Sequence, residues 1–184
     1  MAATFHVLHT GYVDQRGVGA TVGLVLDGDA RIVTDPGMVA DREDILRPLR
    51  NHGLSPEDVT HVFLTHHHPD HAVNAALFPN AAVVDFWAIY HRSVWTDHEG
   101  DGHRLSPHAS LILTPGHTDE DATLLVETDD GMVACTHLWW HADRTPQVDP
   151  LADDQAALEA SRARVLEIAD IVVPGHGSPF RVAG

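Results

Sequence analysis

The six residues His66-His67-His68-Pro69-Asp70-His71 carry five side chains able to bind a transition metal. They follow an apolar run at 59–64 that reads as a strand, with Thr65 between. Two histidines at i and i+2 on the end of a strand can converge on one ion. Asp70 and His71 stand where the chain turns into a short helix expected over 70–77, and can reach a second ion nearby. Imidazole is a natural ligand for zinc, and carboxylate is a harder partner. The plain alternative, a solvated loop rich in histidine by chance, leaves that ordered spacing unexplained.

Two more histidines sit in matching settings. His117 lies in Thr114-Pro115-Gly116-His117, after a strand at 111–114. His176 lies in Pro174-Gly175-His176, after a strand at 171–173. In each, glycine lets the backbone turn and carries the next side chain to the sheet edge. Either alone reads as a turn histidine; with the first segment they form a set. The remaining pattern supplies a strand at 5–13, a hairpin of 21–26 with 31–34 around Asp27-Gly28-Asp29, and strands at 81–84, 123–127 and 132–135. A helix is expected at 41–51, kinked or shortened by Pro48, a helical stretch at 86–95, and a helix at 153–169 with Leu158, Val165, Leu166 and Ala169 on one face. Strands then a helix, twice over, favour two sheets covered by helices in one domain across 1–184.

The charge excludes some partners. Eleven basic and 27 acidic residues give −16 with histidine neutral. That repels phosphate backbones, so no nucleic acid is expected. One cysteine excludes a disulfide framework and a CxxC zinc ribbon. The N-terminus lacks the basic start and long apolar stretch of a secretory leader, and no run approaches the ~18 apolar residues of a membrane span. No membrane partner is expected, and a cytoplasmic location is the plain reading.

Together these motifs resemble the metallo-β-lactamase superfamily, from Asp35-Pro36-Gly37 to Pro174-Gly175-His176-Gly177. The segment from Val172 to Val182 and the helix before it look most like the subfamily of metallo-β-lactamase domain-containing protein 1. The resemblance implies an α/β fold, a four-layer αββα sandwich with metals at one edge between the sheets. It assigns His66, His68 and His117 to one ion and Asp70, His71 and His176 to a second. It gives Asp35 a role behind a ligand histidine, whose other N–H needs a partner. Dinuclear members often carry a bridging aspartate in a Gly-Asp pair; here Thr136-His137 stands at that place. A carboxylate joins two cations through two oxygens and cancels charge, whereas a neutral imidazole gives one nitrogen and cancels none. Weaker occupancy at one site is therefore expected, or two ions bridged by solvent alone. His137 is a candidate ligand or a pocket residue, and Cys135 a small core residue or a ligand.

A metal with an open position lowers the pKa of bound water and polarises a carbonyl oxygen. The expected activity is hydrolysis of a small ester, thioester, lactone or similar electrophile by a metal-bound hydroxide, with Asp70 orienting the water or taking its proton. The expected cofactor is zinc, one or two ions, with iron or manganese as alternatives. One competing reading is a mononuclear iron oxygenase resembling the persulfide dioxygenases, weakened because the aspartate of its triad falls at His137. Another is a metal-binding domain without catalysis. Phosphodiesterase activity is disfavoured by the charge. The expected partner is a small-molecule substrate, with a homodimer one compatible assembly. Residues 86–108, with Trp87, Tyr90 and Trp95, are expected to form a wall or lid, joined by Trp139 and Trp140. His67 is expected to point away from the ions, and Asp119, Glu120 and Asp121 to form a solvated loop.

Overall fold

Strands with apolar side chains on both faces need cover on both faces. The computed structural model describes residues 2–15, 17–142 and 146–183. β1 (Thr4–His9) is followed by a small hairpin, β2 (Tyr12–Asp14) and β3 (Gly17–Gly19), then by β4 (Val22–Asp27) and β5 (Ala30–Thr34). Next come helix α1 (Glu43–Asn51), β6 (His61–Phe63), helix α2 (Pro69–Ala72), β7 (Ala82–Val84), β8 (Ala88–His91) and β9 (Val94–Asp97). The second half holds β10 (Arg104–Ser106), β11 (Ala109–Leu113), β12 (Ala122–Thr128), β13 (Gly131–Cys135), helix α3 (Gln155–Ile168), β14 (Ile171–Val173) and β15 (Phe180–Arg181). Among the described residues, one sheet has the order β1-β4-β5-β6-β7-β8-β9 and the other β10-β11-β12-β13-β14-β15.

The period-2 alternation of strand side chains decides the layering. Val25, Ile32, Phe63 and Val84 of the first sheet meet Leu111, Leu124, Val133 and Val173 of the second. On the opposite face of the first sheet, Leu24, Val33 and Val62 pack on Ile45 and Leu49 of α1. On the opposite face of the second, Leu125, Ala134 and Val172 pack on Leu158 and Val165 of α3. The result is the αββα sandwich. Cys135 lies buried in the layer between the sheets, where burial pushes its thiol pKa up. It is a core residue.

β5 and β6 are parallel, as are β13 and β14, and β11 runs the same way as β13 through two antiparallel pairings. The C-terminal ends of these strands therefore gather at one edge of the sandwich. Asp35, His66, His117, His137 and His176 all lie one to four residues beyond such ends.

Several local expectations are corrected. The strand expected at 5–13 breaks at Thr10-Gly11, because the Gly11 N–H donates to the Thr21 hydroxyl (3.1 Å) and the chain leaves the sheet. The stretch at 86–95 is not helical. Ala88–His91 pairs with β7, and Val94–Asp97 with it in turn, because an open sheet edge offers hydrogen bonds to β-branched and aromatic residues. The helix expected at 70–77 ends at Ala72 and resumes as a 3₁₀ turn at Ala75–Leu77. Between them Asn74 is held to the preceding loop: its N–H donates to Pro36 O (2.8 Å) and its amide to Gly37 O (2.7 Å). α1 runs through Pro48 to Asn51 without shortening. On α3, Leu166 is 43% exposed, and Ser161 takes the buried flank beside Leu158.

The far end of the sandwich has its own fastener. Asp27, at the turn between β4 and β5, accepts from the His108 N–H (2.7 Å) and from His108 Nδ1 (2.8 Å), so the first sheet is tied to the turn before β11. Burial opposes charge on Asp27, but its polar neighbours Ser106 and His108 outweigh that and hold its pKa below the ordinary 3.8. A carboxyl depressed on folding stabilises fully above its unfolded pKa, and the gain is lost as pH falls through its folded value. Asp27→Asn should cost about 1–3 kcal/mol in urea unfolding at pH 7. The difference from wild type should shrink below pH 4. An unchanged midpoint at pH 7 would show that the fastener contributes nothing.

Candidate metal centre

His66 follows β6 and is fully buried, while His68, two residues on, is exposed and lines the cavity above it. The Nε2 of His66 and the Nε2 of His117 approach His68 Nδ1 to 3.0 and 3.3 Å. Beside them, Asp70 Oδ2 lies 3.5 Å from His71 Nε2 and 3.7 Å from His176 Nε2. His137 Nε2 is 3.0 Å from His176 Nε2. The structure thus brings all seven candidate residues, His66, His68, Asp70, His71, His117, His137 and His176, to one place. His137 stands between the two halves: it joins His66 and His117 in one group of converging donors and His71 and His176 in another.

The turns that deliver two of these rings need glycine. A Cβ at Gly116 would fall 2.3 Å from Leu158 Cα, and one at Gly175 would fall 2.6 Å from His137 Cδ2. The Pro-Gly before each histidine therefore lets α3 and the His137 ring pack against the turn itself.

The outer nitrogens fix the tautomers. Asp35 accepts from the Thr65 N–H (2.8 Å), the Thr65 hydroxyl (2.8 Å) and His71 Nδ1 (2.9 Å). Because the Thr65 hydroxyl spends its proton on Asp35, it accepts from His66 Nδ1 at 3.1 Å. His117 Nδ1 donates to Asp149 Oδ2 (3.0 Å) and His176 Nδ1 to the Gly19 carbonyl (3.1 Å). Four imidazoles thus carry their proton outward and turn a bare Nε2 inward. Burial, reinforced by neighbouring imidazoles, holds His66 and His137 well below the ordinary 6.5. Burial also lowers His117, against the pull of Asp149, and takes His176 down to about 4. Each of these shifts favours the neutral ring. His71 Nε2 and His137 Nδ1 are buried without a hydrogen-bond partner. With its proton held outward by Asp35, His71 keeps a buried, unpartnered Nε2 lone pair among converging imidazoles, which is what a divalent ion satisfies, so the residues present fit a metal.

Asp35 takes the supporting role expected of it. His67 points away as expected: its ring bonds Asp85 (2.9 Å) and Glu120 (3.2 Å) and stacks on Trp87 with centroids 5.1 Å apart. The acidic segment is not a uniformly solvated loop. Asp119 is exposed, Glu120 holds His67, and Asp121 is buried against Thr118, where burial pushes its pKa up to about 7.

A cavity of about 270 Å³ opens over the histidines, walled by Val13 and Val18 of the β2–β3 hairpin and by Trp140 and Leu151. No residue of 86–108 lines it, so the expected wall is corrected: that region is spent on the β8–β9 hairpin and on His67. Trp139 turns away onto Phe180, while Trp140 stays in the wall. Sequence reasoning missed Asp149, which lies 32 residues from His117 and has only a turn-forming Asp-Pro to mark it.

Residues 16–151 match the metallo-beta-lactamase superfamily. The chain belongs to that superfamily. The metallo-beta-lactamase domain-containing protein 1 of Xenopus laevis is 34% identical over 195 residues, covering 96% of this chain and 81% of that protein. A putative metallo-beta-lactamase from Thermotoga maritima superposes with a TM-score of 0.72 at 22% identity, over 98% of this chain and 100% of that one. A B. thuringiensis AiiA mutant with N-decanoyl-L-homoserine bound at its active site superposes at 0.69 and 20% identity, over 95% and 92%. Members of the superfamily bind divalent metals, and the chain is a metallo-hydrolase of this fold. Among the described residues, no helix is long and apolar enough to cross a membrane.

Proposed function

We propose that the chain hydrolyses a small ester, thioester, lactone or similar electrophile, using zinc held by His66, His68 and His117 and by Asp70, His71 and His176, with His137 as a further nitrogen ligand. The observation that carries this is the set of inward Nε2 atoms under a cavity of about 270 Å³. When bound, zinc supplies Lewis acidity and lowers the pKa of a bound water toward neutrality. The chain's residues do the rest. Asp35, Asp149 and the Gly19 carbonyl orient the imidazoles. Asp70, with its side chain 15% exposed at the cavity floor, orients the attacking water and takes its proton. Val13, Val18, Trp140 and Leu151 exclude bulk solvent and favour a substrate with a short apolar flank. The N-decanoyl-L-homoserine bound by the structural relative is the ring-opened form of an acyl homoserine lactone, which supports the lactone end of this range.

The iron-oxygenase reading needs a carboxylate where His137 stands, so the donor set favours zinc hydrolysis. Turnover of an ester, thioester and lactone panel by the zinc-loaded chain, abolished by chelation and restored by zinc, tests the proposal; no turnover across the panel would sink it. His137 adds a nitrogen but no negative charge, so wild type should keep one tight zinc and a weaker second. His137→Asp should hold two tightly. Equal stoichiometry and affinity, read by metal analysis after dialysis, would count against this reading of His137.

A further inference from the structure

Asp149 holds two groups with different duties. Its Oδ2 accepts from His117 Nδ1 at 3.0 Å and from the Trp140 indole N–H at 3.1 Å. Its Oδ1 accepts from the Leu151 N–H at 2.9 Å, and its own N–H donates to Gln155 Oε1 at 3.0 Å. The side chain is 1% exposed. The same segment grips the His117 turn from behind: Asp153 N–H donates to His117 O (3.0 Å) and Asp154 N–H to Gly116 O (3.1 Å). One buried carboxylate oxygen therefore touches both a candidate metal ligand and a cavity wall, and its partner oxygen touches the backbone of the next wall residue, Leu151.

We propose that Asp149 is a positioning residue that couples His117 to the Trp140–Leu151 wall, so that metal affinity and the shape of the apolar cavity are set by one group. The inference rests on His117 being a metal ligand. Two consequences follow from sharing one oxygen. An ion drawing electron density from His117 makes Nδ1–H a stronger donor, which draws that oxygen toward His117 and weakens its bond to the indole. A change at Trp140 in turn frees the oxygen for His117 alone. The wall thus registers the ion although Trp140 is not assigned to hold it.

The test uses the whole chain and zinc alone, with zinc affinity measured against a chromophoric chelator and tryptophan emission recorded through the titration. In wild type, zinc should change the emission. In Trp140→Phe that change should shrink to what Trp87, stacked on His67, contributes, with affinity within a few-fold of wild type. In Asp149→Asn, which keeps the shape but loses the charge, affinity should fall about 10–100-fold, and the indole should no longer respond. Zinc binding by Asp149→Asn within twofold of wild type would overturn the coupling and leave the metal centre standing. So would a zinc-induced emission change in Trp140→Phe equal to that of wild type, an arm that decides the matter even if Asp149→Asn does not fold. A wild-type chain that takes up no zinc overturns the coupling and the metal centre together.

Discussion

His68→Ala should abolish turnover and empty one half of the metal centre while leaving the fold intact. His68 is exposed, and its Nδ1 is the point at which His66 Nε2 and His117 Nε2 meet, at 3.0 and 3.3 Å. Truncation therefore removes a donor from a converging set without opening a hole in the core. Losing a Lewis acid worth several kcal/mol in the transition state corresponds to a drop in kcat/KM on the order of 10³-fold or more. Metal analysis should show zinc lost in proportion, and the melting temperature of the metal-free protein should stay near that of wild type. A metal-replete, fully active His68→Ala chain would refute the ligand set. His66→Ala should lose zinc equally, but it also empties a fully buried position, so it reports on stability as well as on metal.

Asp35→Ala should be the most destabilising single change near the site. Asp35 is buried, holds a left-handed backbone at φ 45, and gathers three donors onto one carboxylate. Alanine leaves the Thr65 N–H, the Thr65 hydroxyl and His71 Nδ1 without an acceptor in a dry place. At about 1–3 kcal/mol for each buried group left unpaired, partly shared, the loss is on the order of 4 kcal/mol. For a chain of this size that is roughly 8–16 °C in melting temperature. Asparagine separates the two roles. It tolerates the backbone and can still accept from Thr65, but it turns an NH₂ toward His71 Nδ1–H. Asp35→Asn should therefore melt closer to wild type yet bind zinc about 10–100-fold more weakly. Melting curves and chelator competition measure both, and an Asp35→Ala protein as stable as wild type would refute the network.

The parts of the site legible in the sequence are those written into contiguous chain. His66 to His71 and the two Pro-Gly-His turns stand out because each ligand group hangs from the end of one strand, and a strand end leaves a local signature. Asp35 was legible only through the family's turn. Asp149 was not legible at all, because its pairing with His117 spans a gap of 32 residues that no periodicity bridges. The stretch from Phe86 to Trp95 failed for another reason. Its aromatic and aliphatic residues suit a helix or a strand alike, and the free edge of β7 decided between them. The cavity wall was misplaced for the same cause: residues near the metal motif in sequence turned into sheet, and the wall came from a hairpin at 12–19 and from Trp140 and Leu151.

The position of Cys135 has a practical consequence. It is the chain's one thiol, sealed between the two sheets at 3% exposure. Maleimide dyes and spin labels react with accessible thiolates, so they pass it by in the folded protein. A cysteine introduced at any open surface position then becomes the sole address for a probe, with no native residue to delete first. Distances across the β2–β3 hairpin and the 146–154 segment can be followed in an otherwise unaltered chain.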